Sequence, residues 1–264
     1  MEDILAALDR SGIEIDHFDM QTTEQFQIAL SHEEAERAVE SFMMARETIQ
    51  TICSRHGLEA TAFPRPTANG PQNNCRLHIS MHPDKPMPEM YASFLNGLLR
   101  GARSICAVGL ANYDSYGRAA TSVGDWIGWG TNNDEMPVCQ HEPYHLSVRF
   151  FDTTANAYLF ASAVIHAGWA GINTKAALTF SDCQLKPSSL STADVKGQLA
   201  QFGITERLPK SLEEAIECLR KDDVARSWIN EELSAQYIKT KEIEIKHFST
   251  MDPEERRKKF LRYF

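Results

Sequence analysis

Two short segments govern what this chain can fold into. Residues 76–81 read RLHISM, and residues 145–149 read HLSVR. Successive side chains of an extended strand point to opposite faces, so each segment sorts apolar residues to one side and polar ones to the other. Arg76, His78 and Ser80 share one face, and His145, Ser147 and Arg149 share another. "IEIDHFD" adds a strand face with His17 and Asp19, and "QFQIAL" adds Gln25 and Gln27. Three strand regions that each project polar groups from one face line the cleft side of a sheet, because a dry core would leave those groups without partners. Such a face can hold a metal, grip an anion, or meet water.

Helix and loop signals surround these strands. Residues 1–11 read as a helix stopped near Gly12, and Glu33 to His56 keep three-to-four apolar spacing up to Gly57, which fits a C-terminal cap. "ATAF" predicts a short strand, residues 64–74 a Pro/Gly/Asn loop, and Pro88 to Ala107 a helix. Residues 108–143 show little periodicity, which in a compact domain points to a functional segment. "NAYLFASAVIHAGWAGI" predicts an apolar helix, and from Ser211 onward the chain reads as helices, the first opened by a Ser211–Glu214 capping box. Strands interspersed with helices predict an α+β fold around one sheet. With 264 residues, 42% of them hydrophobic, one domain over 1–264 is expected: about 12–172 would form the cleft, and 173–264 a mostly helical remainder.

The net charge of -9 argues against nucleic acid as a partner, since phosphate neutralisation needs basic clusters. The dense basic run "ERRKKFLR" follows Asp252, Glu254 and Glu255 and reads as a solvated helix face. No stretch approaches the roughly 18 apolar residues of a membrane span, and "MEDILAALDRSG" is no secretory signal. Cys53, Cys75, Cys106, Cys139, Cys183 and Cys218 are scattered with no CxxC pair, so reduced thiols and a cytoplasmic location are expected.

As a metal site the strand faces are poorly supplied. A hard cation wants carboxylates, and Asp19 is the one on offer; zinc could use His17, His78 and His145, but nothing in their spacing makes them converge. As an anion site they are better supplied, because Arg76 and Arg149 can each present a two-pronged donor fork. The competing reading pairs these arginines with local acids such as Asp19 or Asp152. The loop "DSYGRAATSVGDWIGWGTNND" offers Tyr116, Arg118, Asp125, Trp126 and Trp129, as a substrate wall or as a surface loop held by its aromatics. No catalytic Ser/His/Asp or Cys/His set can be assigned from spacing, and no GxGxxG or Walker-type loop is present.

The order of these segments resembles the C-terminal catalytic domain of glutamine synthetase. "RHGLEATAFPRP" is similar to that family's ATF-P-K-P segment, "NGPQNNCRLHISMH" to NGSGMHxHxSL, and "LANYDSYGR" to NSYKRL. "YHLSVRFFDTTANAYLFASAVIHAGWAGI" resembles RIExRxPDxxANPYLxxAAxLxAGLxGI, and residues 208–244 resemble the family's C-terminal helices. The likeness runs from about Gly12 to the last residue. It implies a curved, mostly antiparallel sheet flanked by helices, without the family's N-terminal β-grasp domain or its ammonia-activating aspartate.

The family joins glutamate and ammonia with ATP in a site holding two or three magnesium or manganese ions. On the resemblance, its metal-binding glutamate pair falls on Asp19 and Gln27, with the intervening glutamine kept as Gln25. The metal-ligating histidine of HxHxS falls on Arg76, while His78 and Ser80 are kept. The phosphate arginines of NRxxxxR fall on Asp134 and Cys139; the arginine and glutamate of RxExR fall on His145 and Ser147, and its last arginine is kept as Arg149. The carboxylate-holding arginine of NSYKR is kept as Arg118, and the flap glutamate falls near Gly124 and Asp125. Phosphoryl transfer is mainly charge neutralisation by metals and arginines, so these replacements imply no ATP-dependent glutamine synthesis.

The expected function is therefore a repurposed enzyme, independent of ATP and metal and with no cofactor, performing a cyclisation, isomerisation or lyase-type step on a small carboxylate-bearing or otherwise anionic metabolite. His78, His145, Asp19 and Arg149 are its candidate catalytic residues. Arg118, Arg149, Arg76, Tyr116, Ser80, Gln25 and Trp126 are its candidate substrate-binding residues. The alternatives are a noncatalytic interaction or regulatory protein and an ATP-dependent glutamate–ammonia or γ-glutamyl-amine ligase. The family's rings depend partly on the N-terminal domain, so a homo-oligomer is left open by the resemblance; no membrane partner is expected, because no apolar stretch is long enough to span one.

Overall fold

The computed structural model describes residues 1–22, 25–68, 70–116, 124–191 and 194–264. It is a mixed α+β structure that divides into two compact units, residues 1–73 with 254–264, and residues 74–253.

The first unit opens with α1 (Glu2–Arg10), whose Ile4 and Leu8 are buried. Gly12 stops the helix at φ +72°, and the Ile13 amide closes back on the Leu8 carbonyl at 3.0 Å. Then β1 (Ile15–Thr22) and β2 (Gln25–Leu30) form an antiparallel two-stranded sheet with Phe18 opposite Ile28 and Asp19 opposite Gln27. The long helix α2 (Ala35–Arg55) follows, and Ala45, Ile49, Ile52 and Cys53 pack with Ile4, Leu8, Ile13 and Leu30. The expected strand at "ATAF" is instead a strandless crossing: Ala62 N–H donates to the Phe264 carbonyl, and Phe63 stacks on Phe260 and Phe264. Its partner is the chain end, which offers rings and one carbonyl but no ladder.

The second unit holds a four-stranded sheet in the order β3–β6–β5–β4. Its strands are β3 (Leu77–Ser80), β4 (Trp129–Thr131), β5 (Val138–Glu142) and β6 (His145–Val148). Both pairings of β6 are antiparallel, and β4 runs parallel to β5. The segment 108–143, expected to be without regular structure, thus contributes two strands. Val138 and Cys139, at the start of the inner strand β5, are both buried although they point to opposite faces, which erases the period-two signal there.

Two helices pack closely in this unit, α3 (Pro88–Gly109) and α4 (Ala157–Asn173). Gly97 of α3 faces backbone atoms of Ala167 and Gly171 in α4, so the absent side chain is what allows the close approach. Further on come α5 (Val195–Ala200), α6 (Leu212–Lys221), α7 (Asp223–Ser227) and α8 (Glu231–Phe248), and α9 (Pro253–Phe260) returns to the first unit. Ser211 caps α6 by accepting from the Glu214 amide. The run 224–248 is two helices rather than one, because Asn230 adopts φ +71° and caps α8 through the Glu232 amide.

Candidate functional site

The polar sides of β3, β6 and β5 coincide on one face of the sheet. His78 lies opposite Ser147, Ser80 opposite His145, and Cys139 opposite Ser147. The other face carries Leu77, Ile79, Leu146, Val148 and Gln140, and there Tyr91 of α3 donates to Gln140 Oε1 at 2.9 Å. The register shift between Gln140 and Glu142 is a bulge that sets His141 and Glu142 against the single residue His145. It adds a third imidazole that the sequence reading did not place.

The three rings form a nearly equilateral triangle. The His78–His141, His78–His145 and His141–His145 centroids are each 5.3 Å apart. His78 Nδ1 and His145 Nε2 share a hydrogen bond of 3.1 Å, and His141 Nε2 shares one of 2.9 Å with Ser147 Oγ. His78 is exposed, His141 and His145 are half-buried, and Ser147 is fully buried. Burial holds the His141 imidazolium below the ordinary histidine range, reinforced by His145, Arg76 and Arg149 and opposed by Asp134. Two protonated rings at the 5.3 Å separation would repel by about 3 kcal/mol at an effective dielectric near 20, so the cluster favours at most one added proton.

Arginines flank the rings. Arg76 Nη1 pairs with Asp134 Oδ1 at 3.3 Å, rather than with the acids the sequence suggested. Arg149 is buried, and its amide donates to the Pro137 carbonyl. Asp152 is engaged elsewhere, its Oδ1 accepting from the Thr154 amide and hydroxyl. Burial and then Asp134 push the Cys139 thiol above its usual range, so it stays protonated.

Two further candidates of this unit, Tyr116 and Trp126, are buried. Tyr116 is in the core: its hydroxyl donates to the Cys106 carbonyl at 3.1 Å, and burial raises its pKa. Trp126 packs with Met136, Cys183, Val195, Leu199 and Ile204, and Arg207 stacks over it at 4.2 Å while pairing with Asp125. Both aromatics are buried among the described residues. Arg118 lies outside the described residues. In the first unit, Asp19 is exposed on β1 with His17 Nε2 at 3.6 Å. The Gln25 amide donates to the Gln72 carbonyl and to Asn73 Oδ1, which fastens that loop.

The donor set of the polar face is poorly matched to a magnesium ion, which takes carboxylate oxygens. It presents imidazoles, a hydroxyl and guanidinium groups, its acid Asp134 is paired with Arg76, and among the described residues no group of three His, Cys, Asp or Glu is disposed to hold a metal. Cys139 is buried and neutral, so it offers no charge to a phosphate.

A family model described as the glutamine synthetase catalytic domain matches residues 1–259. The chain belongs to that family. It is 32% identical to the protein fluG of Emericella nidulans over 262 residues, which cover 98% of this chain and 29% of fluG. It is 25% identical to the glutamine synthetase of Thermotoga maritima over 267 residues, covering 94% of this chain and 59% of that one. Among solved structures, the GmaS/ADP complex superposes with a TM-score of 0.81 at 24% identity, covering 97% of this chain and 62% of GmaS. A crystal structure of a novel glutamine synthase homologue gives 0.79 at 20% identity, covering 99% and 62%. At those identities the structures establish the glutamine synthetase fold alone. The chain thus spans less than two thirds of each of these proteins. No helix among the described residues is long and apolar enough to cross a membrane.

Proposed function

We propose that this glutamine synthetase-family chain is an enzyme that acts without ATP or metal on a small carboxylate-bearing or otherwise anionic metabolite, by a cyclisation, isomerisation or lyase-type step. The observation that carries the reading is the hydrogen-bonded His78–His145 pair, set on a polar sheet face beside Arg76 and Arg149. The guanidinium groups hold the anionic oxygens, with Arg118 as a further candidate, and Ser80 supplies a hydroxyl across from His145. One imidazole accepts a proton from the substrate and another returns one, a role suited to histidine near neutral pH. Tyr116, Trp126 and Gln25 take no part, because their polar groups or rings are engaged in packing or in loop contacts.

The test is incubation of the purified chain with a cell-extract metabolite pool, read by mass spectrometry, beside calorimetry with magnesium and ATP. The reading expects depletion of an anionic metabolite and no nucleotide heat. Saturable magnesium–ATP binding, or an unchanged pool with the protein folded, refutes it. A second reading, a noncatalytic interaction or regulatory protein, is favoured by the Arg76–Asp134 pair, which neutralises one of the two described arginines. An unaltered biological phenotype on Arg149→Ala would select it.

A further inference from the structure

We propose that His78, His141 and His145 form one oxyanion receptor that takes up a single proton from solvent as the anion binds. The inference rests on the anion-site reading above and adds His141, with Ser147 as its positioning residue.

The geometry argues for a shared proton. Three imidazoles 5.3 Å apart crowd one face, where a second added charge is opposed by the first. The nitrogens of His78 and His145 meet at 3.1 Å, a contact that needs a hydrogen on one of them and a lone pair on the other. His141 is held by the buried Ser147 hydroxyl at 2.9 Å, which fixes its ring. The charged and titratable groups around the rings are Arg76 and His78 from β3 and the residue before it, Asp134 from the β4–β5 connection, Cys139 and Glu142 from β5, and His145 and Arg149 from β6 and the residue after it.

Asp134 already engages Arg76, so a second positive charge for a doubly charged oxyanion has to come from the rings themselves. The lowered proton affinity of His141 keeps that ring uncharged in the free protein near neutrality. An anion against the face favours the imidazolium, so binding draws in a proton, and by linkage binding weakens as pH rises. Proton uptake of this kind is also the property an acid–base pair needs, since the site charges only when its ligand is present.

The experiment is titration calorimetry of the full chain with sulfate and, separately, with glutarate, at about pH 7.5 in two buffers of different ionisation heat. The expected result is uptake of about one proton per anion and an affinity that falls up to about tenfold per pH unit above about pH 7. Uptake with sulfate points to a phosphate- or sulfate-bearing ligand, uptake with glutarate to a carboxylate, and either supports the receptor. His141→Gln should remove the uptake while leaving weaker binding, and His78→Gln, at an exposed position, serves if His141→Gln does not fold by circular dichroism. Binding without proton uptake, or uptake unchanged in both variants, overturns the shared-proton receptor and leaves the anion site standing. No binding of either anion at any pH overturns the anion-site reading as well.

Discussion

Gly97→Ala should destabilise this protein, although alanine is the better helix former. Gly97 lies within α3, where replacing glycine by alanine gains up to about 1 kcal/mol of helix stability. Against that, the new Cβ would overlap the Ala167 carbonyl oxygen and sit 2.9 Å from Gly171 N and 3.0 Å from Gly171 Cα. Ordinary contact begins at 3.4 Å, and all three atoms are backbone of α4, so no side chain can rotate away. Relief requires the helices to part by about an ångström along a buried interface, since the Ala167 oxygen would lie well inside contact distance of the new atom. Overpacking of this kind costs about 1–3 kcal/mol, and a rigid backbone obstacle places it at or beyond the upper end. The net expectation is a loss of about 2 kcal/mol. Gly197→Ala is the control: it lies in α5 with nothing within 4 Å of the added atom, so it should gain about 0.5–1 kcal/mol. Urea unfolding followed by circular dichroism measures both, with unchanged m-values showing that the native state alone is affected. A Gly97→Ala protein that unfolds at the same or higher urea concentration would refute the close helix crossing.

Other outcomes follow from the same geometry. The depressed proton affinity of His141 means that the unfolded chain binds its proton more tightly, so this contribution to stability is present above about pH 6.5 and is lost as pH falls through that value; His141→Gln should flatten the dependence in denaturant melts across that range. Trp126→Ala removes a buried ring from the Met136–Ile204 cluster and should cost about 3–5 kcal/mol in thermal or urea unfolding, whereas a catalytic-wall residue would lose activity without that cost. Tyr116→Phe deletes the bond to Cys106 and should cost about 1 kcal/mol, measured in the same way. Arg76→His should create no magnesium affinity by calorimetry, because Ser147 still supplies no charge; saturable magnesium heat would contradict this reading of the donor set.

The strands that carry the polar face were legible because Arg76–Met81 and His145–Arg149 alternate and have one solvated side. Their partner β5 was not legible, because Val138 and Cys139 point to opposite faces and are both buried, so the local pattern vanishes there. His141 escaped for a related reason: it reaches the face through a bulge, and one extra residue in a strand leaves no mark in composition. Trp126 and Tyr116 looked like wall residues because glycine-rich flanks are shared by lids and by tightly packed turns. What separates the two is distant in sequence, namely Ile204 and Arg207 for Trp126 and the Cys106 carbonyl for Tyr116. The break at Asn230 had a local signal, an asparagine able to adopt a positive φ, but the apolar spacing on either side masked it.

The bulge in β5 makes the chemistry of this face a matter of counting. With two residues set against His145, the return of the strand to register depends on one residue of length, and the third imidazole on that residue being His141. Loss of a single residue there would keep His78 and His145 in place and withdraw the third ring without altering any side chain of the pair. Relatives that differ by one residue in this strand would then divide into three-ring and two-ring forms, a distinction that tables of substitutions cannot record and that only an insertion or deletion reveals.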